Sequence, residues 1–306
     1  MTEPRFTKKL DGIWGVRTPF APSRLPFFYG WVIVFAATIG SIFSIPGQTM
    51  GFSVFTDVLI EELGLSRVQL SLAYCLGTVA SGLTLPWLGR VLDRWGERRM
   101  AVASVLATGL VLFYLANCSA ISQSLGQALP AATAAFVVIG LGFYMIRAAA
   151  QGVLSMTCRN AIGKWFDHRR GLALAISGVL VSFSYSFAPR GLDWLIDRYS
   201  YDGAWLRMGV VTIVIMGPIA WLLFRDTPEE AGLEMDGGKV ASAVVVNPDM
   251  HIHREFTRGE ALRDYSFWVF NLTFSFYGLY ATAFTFHILS LASEYQFADE
   301  RILSLF

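Results

Sequence analysis

The segment GRVLDRWGERR, residues 89–99, lies between two long stretches that carry no Asp, Glu, Lys or Arg, residues 68–88 and 100–146. Four more such stretches occur at 25–56, 171–189, 208–224 and 265–293. A helix that crosses the hydrocarbon core of a bilayer needs about 20 mostly apolar residues, and most of these runs reach or approach that length. The whole chain of 306 residues is 54% hydrophobic and only 15% charged, with a mean hydropathy of +0.50. Charge is therefore absent in blocks, not diluted evenly as it would be around one large soluble core. This pattern excludes a soluble enzyme, a nucleic-acid binder and a disordered chain. Cys75, Cys118 and Cys158 all fall in apolar runs, so neither a disulfide framework nor a metal-ligand spacing is present. No metal and no cofactor is expected.

Residues 89–99 thus read as a very short loop between two membrane helices. Working outward, seven spans are expected: Phe27 to Phe55, Val68 to Trp87, Met100 to Ala116, Ala131 to Cys158, Gly171 to Pro189, Leu206 to Phe224 and Tyr265 to Leu291. The 47-residue run is too long for one helix and divides at the polar break Asn117 to Pro130. The first run is too long for a signal-peptide core and reads as a retained span. Basic residues stay on the cytoplasmic side, and the N-terminal tail plus alternate loops hold 18 of the 24 Lys and Arg against 5 on the other side. The N terminus is therefore placed in the cytoplasm of a multi-pass protein of the cell (inner) membrane. The expected organisation is a cytoplasmic tail (1–26), a six-helix half (27–224), a cytoplasmic linker (225–264) and the start of a second half (265–306). Two features suggest that second half. The TyrGlyTrp31 entry to span one rhymes with SerPheTrp268 at span seven, and residues 63–72 rhyme with 295–305 ahead of the beginning of a span eight. Parallel halves joined by a long cytoplasmic loop are a transporter arrangement.

Within residues 89–99, Gly89 and Gly96 allow two helices to approach, and Asp93 with Arg94, Arg98 and Arg99 forms a charge cluster at the membrane surface. A plain positive-inside loop explains the arginines but not Asp93 or the glycine spacing. Here the sequence resembles the major facilitator superfamily of secondary transporters, whose signature in this loop is Gly-x-x-x-Asp-Arg-x-Gly followed by basic residues. The resemblance implies a conformational latch, making Gly89, Asp93, Arg94, Gly96 and Arg98 gating-loop residues. KWFDHRRGLALAISG (164–178), RDTPEEAG (225–232) and ALRDYSFW (261–268) are similar to the bacterial branch of that family that looks like monocarboxylate transporters and oxalate/formate antiporters. The resemblance covers the first half and one further span of a twelve-span fold. It implies an all-α integral membrane protein, a major facilitator-type helical bundle, truncated after span seven.

Arg147 is the decisive buried charge. It lies 12 residues before Arg159, about 18 Å along a helix, hence near the middle of a core about 30 Å thick. A charge there costs at least about 2.5 to 3.5 kcal/mol and calls for a polar cavity. At 100° per residue, Gly140, Tyr144, Arg147, Gln151 and Ser155 form one polar stripe. Two readings stand: an arginine that binds helix carbonyls to hold the bundle, or an anion or proton-coupling site. Residues 147–152 also resemble the arginine-rich span-four motif of the superfamily, with an Arg to Gln spacing of four in place of the common three. His287 shares a face with Thr273 and Tyr280 and is either a structural hydrogen-bonder or a proton-coupling candidate. In span one, Thr38, Ser41, Ser44 and Gln48 share a broad face before the break at Pro46 and Gly47, a face that packs helices or lines a path.

These readings converge on a secondary active transporter moving a small organic anion, a carboxylate above all, by alternating access, with a proton as candidate co-substrate. Arg147, Gln151, Tyr144, Gln48 and Tyr280 are the expected substrate-binding residues, because an arginine can give a carboxylate two parallel hydrogen bonds. The partners are then the solute, the proton and the lipid bilayer, with no nucleic acid. Two alternatives remain open: a truncated, non-transporting remnant, and a seven-helix receptor or sensor. The absence of Lys from 265–291 argues against a retinal protein, and no nucleophile-base pair or phosphate loop points to an enzyme.

Overall fold

The computed structural model describes residues 12, 14–15, 18–238 and 256–294. Most of the N-terminal tail, linker residues 239–255, and the 295–305 repeat with the beginning of span eight lie outside them. Among the described residues every regular element is helical, as apolar sequence in lipid requires: with no water to satisfy backbone groups, helices close their own hydrogen bonds.

The first charge-free run does not form one rod. Helix α1 (Gly30–Ile42) stops ahead of a 3-10 turn at Ile45–Gly47, where Pro46 removes a backbone donor. Two short helices, α2 (Thr49–Ser53) and α3 (Thr56–Leu63), then carry the chain to a left-handed Gly64. A capping box between Ser66 and Gln69 starts α4 (Arg67–Trp95) by satisfying two orphan amide donors. Gly96 separates it from α5 (Glu97–Ala116), and α6 (Cys118–Leu125) fills the polar break. Helix α7 (Ala131–Trp165) follows, then α8 (Arg170–Leu223).

Helices α4, α5, α7 and α8 are long and apolar enough to cross a bilayer. The expected spans five and six both lie within α8. The helix runs on through Pro189 and turns only at Ser200, whose φ of 60° is not helical. The polar stretch after Pro189 therefore prolongs a helix instead of forming a loop. Helix α9 (Tyr265–Glu294) follows the linker.

Two buried clusters hold the bundle. One packs Phe52, Phe55, Tyr74, Phe143 and Trp205 at the far end of α2, α4, α7 and α8, with Phe55 and Trp205 stacked at 4.8 Å. The other gathers Tyr29, Trp165, Phe166 and Phe224 at the end of the tail and linker. Arg147 sits between them. Leu72, Leu76, Val79 and Leu83 of α4 and Phe183 and Phe187 of α8 stay exposed, a surface that suits lipid or protein and not water.

Candidate substrate site

Helix α7 changes geometry at the residue that matters most. Arg147–Leu154 is a π-helix, in which i→i+5 bonding widens the turn; such segments are rare and concentrate at functional sites. The Ser155 hydroxyl donates back to the Ala150 carbonyl at 3.4 Å, spanning that wider turn. The wider turn shifts the register of residues beyond 147 relative to the 100° projection that put Tyr144 on their stripe. The span-one break fits against this segment: a Cβ added to Gly47 would lie 2.7 Å from Ala150 Cβ, 2.8 Å from the Gln151 amide nitrogen and 2.8 Å from the Ile146 oxygen. Only a glycine allows that approach.

Arg147 is 4% exposed. Its Nη1 donates to the Tyr74 hydroxyl at 2.8 Å, to Thr49 Oγ1 at 3.3 Å and to the Gly47 carbonyl at 3.4 Å. The guanidinium lies over the Tyr74 ring, 5.2 Å from its centroid. Its Nε is sealed from solvent and donates to nothing among the described residues. Among the described residues no carboxylate accompanies it, and its hydrogen bonds are to neutral groups.

On its open side Arg147 lines a cavity of about 460 Å³ together with Gln48, Gln151, Ser155, Arg159, Asn160 and Tyr185. The lining contains two arginines and no acidic residue. Ser44, buried behind the lining, ties three of its residues together: Gln48 donates to Ser44 Oγ at 3.1 Å, Ser155 does so at 3.1 Å, and the Tyr185 hydroxyl is 3.0 Å away. Of the five substrate-binding residues expected from sequence, the structure brings Arg147, Gln151 and Gln48 together. Tyr144 lies outside the cavity lining, and Tyr280 is 65% exposed and stacked on Phe284. His287 is half-buried beside Phe286, away from the cavity. Tyr74, Thr49 and Tyr185 are additions from the structure, because an aromatic or a threonine inside an apolar run carries no sequence signal of its own. Arg159 reads in the sequence only as the end of a span.

The gating-loop residues divide in two. Asp93 and Arg94 are exposed and form no hydrogen bond or ion pair among the described residues, and the nearest contact for a Cβ at Gly89 is Met156 Sδ at 4.0 Å. Gly96 and Arg98 are instead built into the protein. Gly96 has φ 81° and ψ 166°, and a Cβ there would lie 2.5 Å from the Asp226 carboxylate, which accepts from the Arg98 amide at 2.8 Å. Gly96→Ala is expected to lower the stability by roughly 1–3 kcal/mol from backbone strain alone, read as a fall in the thermal midpoint of the purified protein. An unchanged midpoint would show that this turn relaxes. Next to it, Arg225 donates to the Thr18 carbonyl at 3.1 Å; burial lowers its pKa, while Tyr29 and Asp226 pull it back up. Asp236 of the linker accepts from the amides of Asp167, His168 and Arg169, capping the start of α8 as an N-terminal carboxylate should.

Comparison with known proteins adds the following. The family model described as Major Facilitator Superfamily matches residues 37–305. Curated relatives include a chloramphenicol resistance protein of Pseudomonas aeruginosa, 25% identical over 62% of this chain and 43% of that protein. A glycerol-3-phosphate transporter of Bacillus subtilis is 27% identical over 58% and 38%. An uncharacterized MFS-type transporter of Escherichia coli is 26% identical over 74% and 50%. In each case the chain spans half the relative's length or less. No solved structure gives a significant match.

Proposed function

We propose a transport function from one premise: the chain belongs to the Major Facilitator Superfamily. On that premise it is a multi-pass membrane transporter protein, not an enzyme and not a seven-helix receptor. The finer reading is a secondary active carrier of a small organic anion, best a carboxylate, working by alternating access in the cell (inner) membrane with its N terminus in the cytoplasm. A proton is the candidate co-substrate, with His287 as its candidate carrier.

One observation carries the choice of an anion: a cavity of about 460 Å³ is lined by Arg147 and Arg159, with no acidic residue among the described residues of its lining. A membrane-buried cation without a carboxylate partner is costly, and an anionic solute supplies the missing charge when it binds. Gln48, Gln151 and Asn160 provide neutral hydrogen bonds that orient such a solute. The relative named for glycerol-3-phosphate agrees with an anion, whereas the one named for chloramphenicol resistance does not point to one, so the substrate class rests on the cavity. In the alternating-access reading, Asp93 and Arg94 are surface groups that engage the second half of the carrier during the cycle.

The test is a thermal-shift and calorimetric titration of the purified chain with short mono- and dicarboxylates against their uncharged amides. Carboxylates should bind and amides should not. Arg147→Gln should weaken binding by roughly 10- to 100-fold, the value of a hydrogen bond to a charged group, with the fold intact. Equal response to acids and amides, or full affinity in Arg147→Gln, would leave Arg147 as a packing residue.

A further inference from the structure

The side of Arg147 that faces away from the cavity is tied to another part of the molecule. Its Nη1 is held at 2.8 Å by the Tyr74 hydroxyl, which itself donates to Thr49 Oγ1 at 3.0 Å. The same phenol ring stacks on Phe286 of α9, centroids 4.6 Å apart and 29° between planes. Both rings are buried, and Phe143 and Phe52 pack edge-on and tilted against Tyr74. Helix α9 otherwise presents a mostly exposed surface, so Phe286 is one of its few buried anchors.

We infer that Tyr74 is a positioning residue that couples the guanidinium of Arg147 to helix α9. The geometry sets a bound anion and the Tyr74 phenol in competition. A carboxylate bound through two parallel hydrogen bonds needs two adjacent guanidinium N–H groups. Nε is sealed from solvent, so the terminal pair must serve, and the two N–H groups of Nη1 are already shared among Tyr74, Thr49 and the Gly47 carbonyl. An anion that takes one of these N–H groups leaves the three acceptors to compete for the other, which weakens the hold on the phenol. The ring that anchors Phe286 is then held less firmly at its tilt, and the α9 contact loosens. Occupancy of the cavity is in this way reported to the first helix of the second half. The coupling itself does not depend on what Arg147 binds; its use in transport rests on the anion reading above.

The experiment uses the chain reconstituted in lipid vesicles, with Cys75→Ser to remove the exposed native thiol and Ala283→Cys as a reporter on the exposed face of α9. The rate of modification by a membrane-impermeant maleimide is followed without ligand. Tyr74→Phe, which keeps the ring, and Arg147→Gln should each raise that rate by roughly tenfold, as expected for losing one charge-assisted hydrogen bond. The double variant should be no faster than either single one, because both remove the same bond. Phe286→Leu should raise the rate and make it indifferent to Arg147→Gln. Unchanged rates in the single variants, or effects that multiply in the double, overturn the coupling. A merely structural loss at two separate sites gives multiplication, not saturation. If carboxylates fail to bind while the cycle saturates, the anion reading fails and the coupling stands.

Discussion

Gly47→Ala is expected to weaken the proposed binding of a carboxylate by as much as roughly 10- to 100-fold, the full value of the Arg147 contact that it misplaces. Residue 47 has no side chain to offer a substrate, so the effect must come from packing. The added methyl would meet Ala150 Cβ, the Gln151 nitrogen and the Ile146 oxygen, all within 2.8 Å, and two of those three are backbone atoms that cannot rotate away. Either the 3-10 turn at Ile45–Gly47 or the π segment Arg147–Leu154 must move. Both carry the site: Gly47 accepts from Arg147, and Gln48 and Gln151 flank the cavity. Overpacking alone costs about 1–3 kcal/mol, so the protein should remain folded while the site is lost. Gly163→Ala on the same helix α7 is the control, since a Cβ there meets nothing within 4 Å; it should be neutral or slightly stabilising. Calorimetric titration of both variants decides the matter. Equal affinities would mean that the break and the π segment slide freely and do not fix Arg147.

Much of the fold was legible because lipid leaves a chain few choices. Blocks without charge identified the starts of α4, α5 and α7 to within three residues, while α4 and α7 run on past the expected ends to Trp95 and Trp165, and Pro46 with Gly47 marked the break in the first span. The ends of the helices were harder. Polar residues beyond Pro189 look like a loop, yet they extend α8 to Ser200, since a helix projecting past the bilayer can carry Arg190 and Asp193 at its surface. The site was legible at Arg147, Gln151 and Gln48, where polar groups interrupt apolar sequence. Tyr144 fell on the expected stripe only because a regular 100° turn was assumed, and the π segment breaks that regularity just after it. Tyr74 and Thr49 could not be read at all: a tyrosine two turns into an apolar helix looks like core until the arginine opposite is placed. The gating-loop motif groups Gly96 and Arg98 with Asp93 and Arg94 and does not tell the buried pair apart from the exposed one.

That distinction is where a second large effect is expected. Arg98→Met should destabilise the protein by roughly 3 kcal/mol or more, while Arg94→Met, five residues into the same loop and exposed, should stay within about 0.5 kcal/mol. Arg98 is 2% exposed and spends every part of its guanidinium inside the protein. Its Nε donates to the Trp221 carbonyl at 2.7 Å, Nη1 to Gly15 at 3.0 Å and Nη2 to Thr18 at 2.8 Å, with Trp14 and Trp221 flanking the charge at 5.8 and 5.5 Å. Methionine reproduces the stem and much of the volume, so the loss reports the charge with its hydrogen bonds and ring contacts, not the packing of the stem. Thr18 keeps Arg225 as a donor and Gly15 keeps the Thr18 amide at 2.9 Å, whereas the methionine offers no donor to Trp221; the loss is that of three hydrogen bonds from a charged group, about 1.5–3 kcal/mol each. The residue joins the start of α5, the end of α8 and the segment around residues 14–20, so the first sign of its removal should be release of that segment. Thermal unfolding of both variants, with limited proteolysis mapped to residues 14–20, separates a clamp from a gate. Should Arg98→Met unfold at the same temperature as Arg94→Met with the segment still protected, Arg98 is no anchor, and its place in the signature would have to be explained by the transport cycle alone.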